Sequence, residues 1–527
     1  KYLWEPNRHA ELVTLAQAWQ LSGERRFADG CRRLLESWFE QCPYPLGPNW
    51  TSSLEHGVRL ANWAVAWCLL GEQNLEAGFR RRWLDAVYRH CHFIAGHFSR
   101  HSSANNHLLG ELLGLFLGAT VWPLWPESAR WRAQAARQFE AEALKQTAED
   151  GVNREQAVWY QHEVADMMLL AGLFGRANGI EFSAGYWRRL EKMLEFVAAL
   201  MDAGGHVPMI GDADDARLVR FDPRPDADVF RSLLATGAVV FGRGDFKAKA
   251  GAFDDKSRWL LGDAAAAHFA ALPAEPGEPR REFPLGGYWI LGRDFDTGRE
   301  VRIVADAGPL GYLSLAAHGH ADALAFTLSV AGREILVDPG TFAYHTQRRW
   351  RDHFKGTRAH NTVCVDGLDQ SVSGGNFLWL RHARARCERF VLEDRRETWT
   401  GSQDGYLRLP DPLLHRRTLD FDKTAGVLRV TDRLECAGRH RVEVLFHAAE
   451  TCEVEHLGAE VRVRNGPAKV SLRNTAPGWA PQLVRGGEAP PLGWVSRRFD
   501  EKEAATVIVW AGGIEGTTEC VTEIVIG

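Results

Sequence analysis

The sequence predicts a multidomain α+β chain, a helical array followed by an antiparallel β domain. Three observations predict it. Apolar residues recur at helical spacing up to about residue 240, short β-branched or alternating runs take over from about residue 284, and a proline-bearing stretch lies between. With 527 residues, 45% hydrophobic and 25% charged, the chain is large enough for two or three cores and has an ordinary globular composition.

In the helical half, Leu12, Leu15, Ala16 and Trp19 share one face, as do Leu60, Trp63, Ala64 and Trp67, and again Leu190, Leu194 and Val197. Gly23, Gly71, Gly118, Gly151, Gly179 and Gly204, with prolines at 43–48 and 123–126, punctuate the pattern. The spacing predicts eight to ten helices of roughly 12–20 residues. Pro273, Pro276, Pro279 and Pro284 mark 271–284 as a linker. Beyond it, runs at 288–291, 301–305, 325–330, 334–337, 361–365, 427–430, 442–446, 461–463, 469–472 and 506–510 read as strands. Many short strands without long helices between them predict a sandwich. The expected domains are therefore 1–270 and 285–527, joined by the linker, with a ligand-binding cleft between them.

Several function classes are excluded. A net charge of −5 lacks the basic excess that phosphate contacts require, so no nucleic-acid partner is expected. No apolar run approaches the roughly 20 residues that cross a bilayer. Nine cysteines show neither CxxC pairs nor regular spacing, which argues against a zinc ribbon or a disulfide framework. The chain opens without a charged n-region and apolar h-region. No P-loop, GxGxxG, GxSxG or HExxH is present.

The densest polar cluster is HGHAD at 318–322. On a strand, His318, His320 and Asp322 would share one face, while Gly319 would admit another backbone or a ligand. Two segments follow, VDPGT at 337–341 and RAHNT at 358–362, so that His, Asp and His from three successive segments can supply a metal site suited to Zn²⁺. In the helical half, SSANNH at 102–107 precedes an apolar run. A helix N-cap accounts for one of its amides or hydroxyls but not for two amides and an imidazole together. Farther on, Gln156, Tyr160 and Glu163 are expected on one face of a helix. The Gly204–His206 and Gly211–Asp215 stretches read as turns, for which calcium-like ligation is the alternative.

Together SANNHLLGE (103–111), EQAVWYQH (155–162), HGHADALAF (318–326), VDPGT (337–341) and RDHFKGTRAHNTVCVDG (351–367) resemble the heparinase II/III-like polysaccharide lyases over nearly the whole chain. The resemblance implies an incomplete (α/α) toroid followed by an antiparallel β-sandwich. It further implies β-elimination on a uronate-containing anionic polysaccharide or oligosaccharide. In that chemistry the uronate carboxylate is neutralised, a base removes the C5 proton, and the leaving C4 oxygen is protonated. By resemblance Asn106, with His107 beside it, neutralises the carboxylate, Tyr160 is the catalytic phenol, and His318 acts as base or carboxylate partner. Either Tyr160 or His318 fits the base. The family's metal pattern falls on His320, Asp338 and His360, implying a structural divalent cation, Zn²⁺ or else Ca²⁺.

One departure stands out. Some alginate-cleaving relatives carry a second tyrosine shortly before the AHN element, where this chain has His353 and Phe354, with Tyr344 and His345 the nearest substitutes. A Tyr/His scheme on a heparin- or heparan-sulfate-like polymer is thereby favoured over alginate, hyaluronan or a bacterial exopolysaccharide. Gln156, Trp159 and Arg358 are the expected carbohydrate contacts, with Trp50 and Trp63 as further stacking candidates and Arg8, Arg59 and Arg154 as further anion partners. An (α/α) glycoside hydrolase using Glu155 with Glu163 or Asp212 is the alternative enzyme, and a non-catalytic glycan-binding protein the alternative to an enzyme. A polymeric substrate implies a periplasmic or secreted location.

Overall fold

The computed structural model describes residues 2–527. Twelve α-helices precede the β domain: α1 (Ala10–Ser22), α2 (Arg25–Gln41), α3 (Ser53–Leu70), α4 (Ala77–Gly96), α5 (Asn106–Val121), α6 (Ser128–Gln146), α7 (Val158–Ala177), α8 (Ala184–Leu200), α9 (Val229–Phe241), α10 (Gly244–Ala250), α11 (Asp255–Leu261) and α12 (Asp263–Ala271). The first nine match the expected lengths. The last three are shorter, because Gly251 and Gly262, both at positive φ, break the chain every seven to nine residues.

Helix packing follows from small residues at crossing points. A Cβ on Gly57 of α3 would lie 2.4 Å from the Gly110 carbonyl oxygen of α5, and one on Gly114 would lie 2.3 Å from Gly57 Cα. The two backbones therefore touch. Around them Leu60, Trp63, Trp83, Leu113 and Leu194 sit in one fully buried cluster. Trp50 and Trp63, candidates for sugar stacking, are core residues instead, 5% and 0% exposed.

The β domain begins with a five-stranded antiparallel sheet of β1 (Glu282–Phe283), β2 (Tyr288–Arg293), β3 (Val301–Asp306), β4 (Phe326–Val330) and β5 (Arg333–Leu336). After α13 (Arg348–Phe354), β6 (Val363–Val365) joins Arg439–His447, Thr506–Glu515 and Pro481–Arg485 in a four-stranded sheet. An eight-stranded sheet runs from Glu453–Leu457 to Ala385–Leu392. Its central strands alternate: Leu419 and Phe421, then Leu428, Val430 and Leu434, point inward while their neighbours face out. One buried cluster joins side chains from all three sheets, with Trp289, Trp399, Phe446 and Trp510 among the largest.

The halves are joined by more than the linker. Asp150 Oδ2 accepts from the Leu285 and Gly286 amides at 2.7 and 2.9 Å, and Glu300 Oε1 accepts from the Ala203 amide at 2.9 Å. The irregular stretch between α8 and α9 lies against the β domain, where the Asp212 amide donates to the His318 carbonyl (2.9 Å) and the Ala213 amide to Thr341 Oγ1 (2.7 Å).

The HGHAD segment is not a strand. It belongs to a loop between β3 and β4, with Ala316 and Leu324 at positive φ. Gly319 nonetheless has the close approach expected of it: a Cβ there would meet the Leu310 carbonyl oxygen at 1.5 Å.

Candidate active site at the domain interface

A pocket opens between the domains and is lined by Asn106, His107, Tyr160, Glu163, His318 and Tyr344 among others. Asn105 caps α5, its side chain accepting from the His107 amide at 3.2 Å, and so sets Asn106 and His107 at the helix mouth. Asn106 Nδ2 donates to both oxygens of Glu155, at 3.1 and 2.9 Å, and Asn105 Nδ2 adds a third contact at 3.2 Å. Burial raises the Glu155 carboxyl above its ordinary range, against the lowering effect of His318 and the two asparagines. Burial, then the neighbouring His318, lowers His107 to about 4, so its imidazole is neutral near pH 7.

Tyr160 lies in the first turn of α7. Its ring stacks on His318 with centroids 3.9 Å apart, and its hydroxyl is 3.1 Å from that of Tyr344. Burial, reinforced by Tyr344 and by the Asp214 charge, holds the Tyr160 phenol well above its usual value. It is a protonated phenol at any physiological pH.

Asp212 organises the other side. It is fully buried and accepts from both terminal nitrogens of Arg351, one at 2.9 Å, from His318 Nδ1 at 3.1 Å and from His320 Nε2 at 2.9 Å. Burial alone would raise its carboxyl, but the Arg351 charge and the two imidazole bonds hold it below the ordinary carboxylate range. An ionised carboxylate only accepts, so each imidazole must direct an N–H at it. That turns His318 Nε2 toward the pocket, 3.7 Å from Glu155 Oε2, and leaves His320, whose burial lowers it, with a lone pair on Nδ1.

His320, Asp338 and His360 bring ligand atoms within 4.8 Å of one another. His360 Nδ1 is 2.9 Å from Asp338 Oδ2, while His360 Nε2 and His320 Nδ1 are buried without hydrogen-bond partners. Burial and then the Asp322 charge raise Asp306, and burial, opposed by His360 and reinforced by Asp338, raises Asp322 to about 7. Two orphaned imidazole nitrogens facing crowded buried carboxylates are what a divalent cation would relieve.

Three expected sugar contacts lie elsewhere. Gln156 precedes α7 at positive φ, off the Tyr160 face, with its amide oxygen turned toward Gly308. Trp159 turns away from the pocket, donating to the Ala216 carbonyl (3.3 Å) and meeting Phe230 edge-on. Arg358 is held by Glu443 at 2.7 and 3.3 Å. Of the other anion candidates, Arg8 does reach the pocket, already bound to Glu55 at 2.8 and 2.9 Å, while Arg59 is buried against His90. His353, the residue standing near the expected second tyrosine, is half-buried, and desolvation lowers it to about 3. Tyr344, nine residues earlier, supplies the second phenol.

Both halves match models of one family: the heparinase II/III N-terminus over residues 1–227 and the heparinase II/III-like C-terminal region over residues 275–523. The chain belongs to the heparinase II/III-like family. Within that family's reach, a heparin-sulfate lyase of Bacteroides thetaiotaomicron is 21% identical over 448 residues, covering 80% of this chain. The chain spans 57% of that relative's length. Among solved structures, the heparan sulfate lyase HepC from Pedobacter heparinus (18% identity, TM-score 0.70) covers 99% of this chain and 76% of its own. A crystal structure of heparinase III (16% identity, TM-score 0.78) covers 98% and 76%. These likenesses carry the fold, a helical toroid followed by a β-sandwich.

Sequence reasoning missed Arg351, and it named Asp212 and Glu155 only as carboxylates of a hydrolase, because the partners that define their roles here are distant. Asp212 is 106 and 139 residues from His318 and Arg351, and no local pattern ties them together. Arg351 does lie inside the RDHFKGTRAHN segment, and Glu155 opens the EQAVWYQH segment. Those positions were the available signal.

Proposed function

We propose that the protein is a polysaccharide lyase that cleaves a uronate-containing anionic polysaccharide by β-elimination, with heparan-sulfate-like chains favoured. The observation that carries this reading is the stacking of Tyr160 on an Asp212-oriented His318 across one interdomain pocket. The substrate carboxylate meets Asn106 and His107; Asn106 Nδ2 carries two hydrogens, so one can turn to the substrate while the other keeps Glu155. His318 Nε2 takes the C5 proton, and the C5–H electron pair passes into conjugation with the neutralised carboxylate. The C4–O bond then breaks with its electrons on the leaving oxygen, which takes the Tyr160 phenolic proton. A C4–C5 double bond remains, and no water is consumed. The raised Tyr160 phenol favours its role as acid over base, and Tyr344, 3.1 Å away, is the route by which its proton is restored.

The pocket's charge bears on the substrate. Glu55 and Asp214 line it beside Arg8 and Arg217, so the guanidinium groups are not in excess over carboxylates, and a lightly sulfated chain fits better than densely sulfated heparin.

The test is ultraviolet absorbance of the new double bond with heparin, heparan sulfate, hyaluronan, chondroitin sulfate, alginate and glucuronan. Tyr160→Phe is expected to lower kcat by about 10²–10⁴ with little change in KM. New reducing ends without the absorbance would replace the lyase by a hydrolase.

The residues His320, Asp338 and His360 fit a structural divalent cation, and their two imidazoles favour Zn²⁺ over Ca²⁺. Bound there, it would supply the charge that the crowded carboxylates lack. This chain's own contribution is to pin the HGHAD loop, so that His318 faces the pocket. Elemental analysis should find one equivalent fewer in His320→Ala than in the parent; equal content would sink the assignment.

A further inference from the structure

A second cluster of metal-ligating side chains stands apart from the pocket, at one end of the sandwich. Asp411 precedes the strand Leu414–Asp422, Cys436 follows Val427–Glu435, and His440 is the second residue of Arg439–His447. One ligand atom from each lies within 4.8 Å of the other two. None of them lines the pocket.

The arrangement is more than proximity. His440 is 6% exposed, and its Nδ1 is 2.7 Å from Asp366 Oδ2. A carboxylate in that position accepts the Nδ1–H and turns Nε2 the opposite way, the geometry that carboxylates bonded to metal-bound histidines impose. Nε2 is buried and lies 3.1 Å from Asp411 Oδ2, yet it is misaligned for a hydrogen bond and has no other partner. Two carboxylates face this one ring and only Asp366 is engaged by a well-directed contact, so the buried Nε2 is left open toward Asp411 as a ligand atom would be. Asp411 is itself aimed by the Gly438 amide, which donates to Oδ2 at 2.7 Å. A side chain at residue 438 would crowd that oxygen, since a Cβ would approach it to 2.6 Å. The Cys436 thiol has only weak contacts, with the Gly516 and Gly438 carbonyls at 3.2 and 3.8 Å.

We propose that Asp411, Cys436 and His440 bind a thiophilic divalent cation of the Zn²⁺ class, with Asp366 orienting His440. One thiolate, one imidazole and one carboxylate form a borderline-soft donor set that disfavours Mg²⁺ and Ca²⁺, and the two anionic ligands balance the ion's charge. Binding releases the Cys436 proton to solvent. The bound ion ties the three turns carrying Asp411, Cys436 and, through Asp366, the end of β6, linking the eight-stranded sheet to the four-stranded one.

Cobalt separates this site from the one at His320, whose donors are nitrogen and oxygen alone. Full-length protein loaded with Co²⁺ should show thiolate-to-cobalt charge-transfer absorption in the near ultraviolet, absent from Cys436→Ser. Zinc content should fall by one equivalent in Cys436→Ser and in Asp411→Asn, while His320→Ala keeps the cobalt band. Asp366→Asn, which leaves all three ligands in place, should weaken binding by about 10–100-fold. A parent protein without the band, a band that survives Cys436→Ser, or unchanged zinc content in both variants would overturn the proposal. Unaltered circular dichroism of Asp411→Asn guards against reading misfolding as metal loss.

Discussion

Glu111 shows how a buried titratable residue couples the fold to pH. Its carboxylate, 1% exposed inside α5, accepts from the Ser99 amide and hydroxyl at 2.7 and 2.6 Å, yet burial raises it to about 7. The folded state therefore holds the proton more tightly than the unfolded chain. Stability is full below the unfolded pKa near 4.5 and is lost as pH rises through about 7, by up to about 3 kcal/mol. Glu111→Gln, which keeps a carbonyl for the amide and an NH₂ for the hydroxyl, should remove this slope and be the more stable protein at pH 8. Denaturant titrations at pH 5 and pH 8 measure it, and parallel pH dependence in the two proteins would contradict the assignment. Single residues of the pocket were largely legible in advance. Asn106, His107, Tyr160 and His318 all line it, because each lies in a compact motif whose residue types already implied polar chemistry. Gln156 was misplaced because a helical period was extended two residues before Val158, onto Gln156, which itself stands at positive φ.

At the scale of elements, the crossing of α3 and α5 is set by glycine. Gly114→Ala would drive a methyl into Gly57 Cα, a backbone atom that no rotamer change can move aside. We expect a loss of about 1–3 kcal/mol, seen as a lower midpoint in urea with an unchanged slope. An unaltered midpoint would mean that the helices separate freely. Because Asn106 and His107 form the first turn of α5, the same substitution should also reduce turnover. Helices and strands were legible because their apolar periods are local. The HGHAD loop was not: alternating residue types suited a strand, but the Leu310 carbonyl against Gly319 and two positive-φ residues impose turns there.

For the whole molecule, the decisive contact is the Arg351–Asp212 pair, which joins α13 of the β domain to the stretch after α8. Both side chains are 0% exposed. Arg351→Met should cost about 3–5 kcal/mol, because Asp212 would remain charged and buried without its counter-ion. Double-bond formation should fall with it, since Asp212 also orients His318. Thermal unfolding and the absorbance assay read the two effects, and a variant that melts and turns over like the parent would remove Asp212 from its organising role.

The amino-acid sequence by itself determined the order of the two architectures, the family and the pocket side chains Asn106, His107, Tyr160 and His318, because periodicity and short motifs are properties of neighbouring residues. Tertiary structure alone decided that Asp212 serves two histidines, that Tyr344 stands opposite Tyr160, and that Arg358 and Trp159 turn away. Those outcomes depend on which segments the two cores bring together, and a buried carboxylate takes whichever cations and N–H donors the packing leaves within reach.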